Sequence, residues 1–96
     1  MSYEVIVPEK IKRKIAGWNL SSYLLFRIED RLIYGDIAEH PNRHLQRLPK
    51  PADILQYSFL VTDQGTPART YLFVFDVSYT VDERCLVIRD CDYLTD

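Results

Sequence analysis

Arg43, His44, Arg47 and Lys50 stand in a stretch with no acid, bounded by Glu39 and Asp53. Cations grouped in this way bind phosphate by releasing its counterions, so Arg43, Arg47 and Lys50 are candidate nucleic-acid contacts. Lys10, Lys12, Arg13 and Lys14 form a second basic group. Neither group is interleaved with aromatic residues on which bases stack. A solvated face is the plainer account of both. His40 and His44 have the four-residue spacing of a metal-binding helix face. Pro41 falls between them, with no cysteine or acid at ligand spacing, and no metal is expected. The three glycines, at 17, 35 and 65, share no phosphate-binding loop, and no cofactor is expected. Asp82 and Glu83 are adjacent in what reads as a turn, where acids are common for conformational reasons.

Two cysteines remain, Cys85 and Cys91. On one strand, at about 3.3 Å per residue, they would share a face roughly 20 Å apart. A disulfide requires Cα atoms closer than about 7 Å, so these two cannot bridge. Arg89 would depress a thiol pKa at Cys91, but Asp90 and Asp92 oppose it. Small core or edge residues are the expectation.

The elements that position these groups follow from size and periodicity. Ninety-six residues make one domain, residues 1–96, with a modest core. The chain is 47% apolar and 27% charged, a globular balance with no apolar run near the roughly 20 residues of a membrane span. MSYEVIVPEK shows no basic segment leading into an apolar one, so cytoplasm is the expected address. Tyr3 to Val7 reads as a strand, ended by Pro8. Ile11, Ile15 and Trp18 at i, i+4, i+7 give a helix, with Pro8-Glu9 in its first turn. Ser21 or Ser22 caps a second helix with Leu24, Leu25, Ile28 and Leu32 as its stripe. That helix is expected to continue through Gly35 and Ile37 to Pro41. Pro41, Pro49 and Pro51 then exclude regular structure from much of 40–53. Beyond it the period is two: Leu55, Tyr57, Phe59 and Val61, then Tyr71, Phe73, Phe75 and Val77 with Leu72 and Val74 on the other face, then Leu86, Val87 and Ile88. Apolar residues on both faces make 69–79 a central strand. The fold class is α+β, ordered β-α-α-β-β-β. A helical hairpin is expected to pack on a small, mainly antiparallel twisted sheet.

That order, at this length, resembles the RelE/ParE superfamily of toxin–antitoxin toxins. The residues that carry the resemblance are Tyr3-Glu4-Val5-Ile6-Val7 and the second helix running into Ile37-Ala38-Glu39-His40-Pro41. A leucine before the sheet follows (Leu45 or Leu48), then Tyr71-Leu72-Phe73-Val74-Phe75-Asp76-Val77 and Cys85-Leu86-Val87-Ile88. The resemblance spans nearly the whole chain, as a pattern of elements. It implies a type II toxin–antitoxin module, as in plasmid stabilisation, with a cognate antitoxin as partner. In the RNase members, which cut mRNA on the ribosome, sheet lysines and arginines with a C-terminal tyrosine stabilise the developing phosphate charge and move protons. Carried over, the implied catalytic set is Arg69, Arg89 and Tyr93. The departures are plain: Gln56 and Ser58 stand where lysines belong, Arg69 comes one or two residues early, and no C-terminal helix is expected. Members that bind the ribosome tend to be basic, whereas this chain has a formal net charge of −2.

Three functions are therefore open. One is a toxin-like component, catalytically degenerate or held by its antitoxin, acting through protein or ribosome and RNA binding. The second is an active ribosome-dependent mRNA endonuclease with a rearranged basic site that adds Arg47 to Arg69, Arg89 and Tyr93. The third is a small interaction module sharing only the fold. Seven tyrosines and four phenylalanines are more than so small a core hides. A homodimer or a small partner is thus expected to cover them, and the first strand or the Cys85–Asp90 strand is expected to leave an edge for strand addition.

Overall fold

A computed structural model describes residues 3–33, 35, 37, 46, 47, 54–65, 67–80 and 84–95. The elements are β1 (Glu4–Ile6), α1 (Glu9–Gly17), α2 (Ser22–Ile33), β2 (Gln46–Arg47), β3 (Ile54–Asp63), β4 (Arg69–Thr80) and β5 (Cys85–Thr95). One mixed sheet has the order β1-β5-β4-β3-β2, parallel only between β1 and β5. The α+β class, the helical hairpin and the central position of β4 match the expectation. Gln46–Arg47 adds a two-residue strand inside the proline-rich stretch.

Local chemistry sets the helix ends. Pro8 is the N-cap of α1, just outside the first turn, and its carbonyl accepts the N–H groups of Ile11 and Lys12 at 3.0 and 3.1 Å. Asn19 ends the helix in the left-handed region at φ 55, which asparagine tolerates better than most residues. Ser21 caps α2: its hydroxyl accepts the Leu24 N–H at 3.3 Å and donates to Asp63 Oδ2 at 3.2 Å. The second helix is described to Ile33; Gly35 interrupts it as a bend, Ile37 is helical again, and the expected continuation over 38–41 lies outside the described residues. Gly35 lies so close to the Arg31 backbone that a Cβ there would meet the Arg31 carbonyl oxygen at 2.5 Å. Ile37 is nonetheless buried in the core.

The core lies between the hairpin and one face of the sheet. Tyr57, Phe59 and Val61, then Phe73, Phe75 and Val77, then Leu86, Ile88 and Cys91 form its floor. Ile11, Leu24, Ile28 and Leu32 form its roof, with Ile15 and Trp18 packed at the margin. Leu25 is not part of it. At 39% exposed it faces outward, because Leu24, Ile28 and Leu32 already fill the i, i+4, i+8 stripe.

The largest departure is in β5. The strand continues five residues past Asp90, and a register shift against Asp76/Val77 leaves Arg89 as an extra, bulged residue. The bulge reverses the alternation. Cys91 is buried while Cys85 stands on the other face, so the two do not share one. Burial pushes the Cys91 thiol up to about 11. Over Cys85–Val87 the strand is flanked by both β1 and β4, so that stretch is no edge.

Candidate functional site

The face of the sheet away from the hairpin is the candidate site. Its side chains come from the even-numbered residues of β3 and β4 and from β5 beyond the bulge. Register sets Leu60, Leu72 and Leu94 side by side across three strands. Ser58, Val74 and Asp92 form the next row, and Gln56, Asp76 and Asp90 the one after. Leu60 and Leu94 are 63% and 67% exposed. A shallow depression of about 250 Å³ lies over the aspartate rows, lined by Lys14, Gln56, Val74, Asp76, Asp90, Cys91 and Asp92.

Electrostatics there are predominantly negative. Asp76 and Asp90 are direct cross-strand partners, an arrangement that like charges destabilise. Lys14 reaches round from α1 to Asp90 Oδ1 at 2.8 Å. Its ammonium, followed by the Cys91 backbone N–H, holds the Asp90 carboxyl below the usual carboxylate range. The same bond raises the Lys14 pKa. Both side chains are largely in water, so the pair contributes little to stability. The carboxylates of Asp90 and Asp92 also accept the next residues' N–H groups, Cys91 and Tyr93, each at 2.8 Å.

The three residues implied for catalysis do not converge. Arg69 is exposed at the start of β4, paired in register with Asp63. Arg89 lies at the bulge, where its Nε donates to Ser78 Oγ at 2.7 Å. About seven residues of strand, or roughly 25 Å, separate the two arginines. Tyr93 is on the core side, half-buried against Trp18 and Phe73. No single phosphate touches all three. Of the candidate nucleic-acid contacts, Arg43 and Lys50 lie outside the described residues, and Arg47 is placed by backbone alone, opposite Leu55.

Two further features went unseen in the sequence. An apolar groove of about 400 Å³ runs between the helices, over Val7, Ile15, Leu25, Ile28 and Leu32, with Lys12 and Glu29 also lining it. Arg27 and Arg31, one turn apart on α2, each have a buried Nε without a hydrogen-bond partner, and the Arg31 guanidinium lies 5.4 Å from the Phe59 ring centre. The i, i+4 spacing was the available signal for that pair. Nothing in the sequence marked Asp76 or the leucine row, because neither is legible without the register.

No family model matches the sequence, and no curated protein matches it. The fold does have a solved counterpart. A chain in the crystal structure of the toxin–antitoxin complex RelBE2 from Mycobacterium tuberculosis superposes with a TM-score of 0.74 at 16% identity. The match covers 98% of this chain and 100% of that one. The fold is RelE-like. On this RelE-like sheet, Gln56 and Ser58 occupy the open face of β3 where lysines were expected, and Asp76, Asp90 and Asp92 lie across from them. Among the described residues, Lys14 is the cation paired within that cluster.

Proposed function

We propose that this chain is the toxin-like component of a type II toxin–antitoxin module that acts by binding protein, without cleaving RNA. One observation carries the reading: the open sheet face presents three carboxylates, where phosphodiester transfer needs fixed cations. Developing negative charge on a phosphate would be repelled there, not stabilised. The separation of Arg69, Arg89 and Tyr93 argues the same way. The RelE-like fold, found in a toxin–antitoxin complex, supports the choice of module. A cognate antitoxin is the proposed partner, in the cytoplasm. No described helix is long and apolar enough to cross a membrane.

Exposed aromatic and aliphatic side chains support a partner of some kind. Phe26 is 61% exposed on α2, with Tyr23, Leu25 and Ile33 also open to solvent. Such anchors bind a peptide or a second copy of the chain. The test is co-expression of the tagged chain with the product of each adjacent reading frame. The expected result is a stable complex with one of them, in place of a free 11.3 kDa monomer. A monomer at micromolar concentration that retains neither product contradicts the proposal.

A further inference from the structure

The row of leucines on the open sheet face is exposed at Leu60 and Leu94 and half-buried at Leu72, with Arg31 near its β3 end and carboxylates along one side. Its size and acidic side favour one kind of occupant. Leu60, Leu72 and Leu94 lie on three adjacent strands, so the row is about 10 Å from end to end. Seven residues of α-helix rise by the same length, about 10 Å. Apolar residues at i, i+3 or i+4, and i+7 of a helix laid across the strands therefore fall one on each leucine. Asp92 lies two residues along β5 from Leu94, and Asp76 lies four residues along β4 from Leu72. Those steps are about 7 and 13 Å. The flank of a helix about 10 Å wide lies about 5 Å from its axis, so a long polar side chain there reaches Asp92, while Asp76 lies in the row beyond.

Charge decides what those side chains are. The row after the leucines carries Asp92, and the row beyond it carries Asp76 opposite Asp90. Among the described residues Lys14 pairs with Asp90, and Arg89, next to that row, donates to Ser78 instead of to a carboxylate. A second copy placed face to face brings aspartates against aspartates if its strands run parallel to these, and sets them against the Thr62/Thr70 side of the leucine row if they run antiparallel. In neither arrangement does it supply a cation to the carboxylates. A nucleic-acid strand would bring phosphates against them. A helix with leucine-like residues flanked by lysine or arginine pairs with Asp92 and brings charge of the sign that the row beyond attracts. We propose that the open sheet face is a docking surface for a basic amphipathic helix of a protein partner. This rests on the toxin-like reading only for the partner's source, the antitoxin.

The probe is a synthetic peptide of about 18 residues, long enough to hold a helix, with leucines along one stripe and lysines beside them. Binding to the full chain is followed by fluorescence anisotropy, and the contact surface by amide chemical shifts. The expected result is saturable binding with shifts confined to the residues around Leu60, Leu72 and Leu94. Leu60→Ser/Leu94→Ser and Asp76→Asn/Asp92→Asn each weaken it by about tenfold or more, while the thermal midpoint stays within a few degrees. The inference is overturned if the peptide does not bind, if a glutamate-for-lysine version binds as well, or if the shifts lie elsewhere. Displacement of the peptide by single-stranded RNA also overturns it. Outcomes for the module are read separately. An adjacent gene product that binds away from the leucine row refutes the surface and leaves the proposed function standing. Peptide binding without any such product does the reverse.

Discussion

Trp18 meets Tyr93 edge-on, with ring centres 4.8 Å apart and planes at 62°. The contact joins the end of α1 to the far half of β5, and Phe73 completes it, stacked at 6.3 Å from Trp18. It also places the one tyrosine considered for proton transfer among apolar rings. A double-mutant cycle on Trp18→Leu and Tyr93→Leu should give a coupling of about 0.5–1.5 kcal/mol. A coupling near zero would mean that the two rings do not meet in solution.

Phe73 and Phe75 are fully buried at the centre of the floor. Alanine at either position should cost about 3–5 kcal/mol, a large part of the stability of so small a domain. Urea unfolding measures this directly. A Phe73→Ala midpoint close to that of the wild type would remove the packing described for β4.

Cys91 gives the chain a pH signature. Its unfolded thiol ionises near 9 and its folded thiol near 11. The folded state thus holds the proton more tightly, so stability is level below about pH 9. It should fall by on the order of 2 kcal/mol as pH rises through the folded value. Chemical denaturation at pH 8 and pH 10.5 tests the sign, with Cys91→Ser as the control that flattens the response. A wild type that gains stability over that range would contradict the burial of the thiol.

Gly35 should not tolerate a side chain. A Cβ at 2.5 Å from the Arg31 carbonyl oxygen must displace backbone, so Gly35→Ala should lower stability even though alanine favours helices. A higher melting temperature for this variant would show that the chain relaxes there without loss.

Much of this fold is legible in the residues. Tyr71, Phe73, Phe75 and Val77 repeat every two positions, Ile11, Ile15 and Trp18 follow a helical period, and Ser21 marks a cap. What escaped depends on pairing. Asp90 and Asp92 are poor strand formers, so periodicity alone ends β5 near Asp90. In the structure their carboxylates bond the N–H groups of Cys91 and Tyr93 and the strand runs on. The bulge at Arg89 shifts the alternation by one residue, which no periodicity in Cys85–Tyr93 discloses. The leucine row and the Asp76/Asp90 pair arise from the register of three strands, and so the open face could not be composed from one strand at a time.

Whether that open face supports chemistry is the question on which the account turns. Purified chain is incubated with a translating ribosome system and a reporter mRNA, and cleavage is mapped by primer extension. The account predicts a pattern indistinguishable from the buffer control, for the wild type and for Arg69→Ala/Arg89→Ala alike. Cleavage by the wild type that disappears in the double variant would contradict it and establish an RNase with a divided basic site.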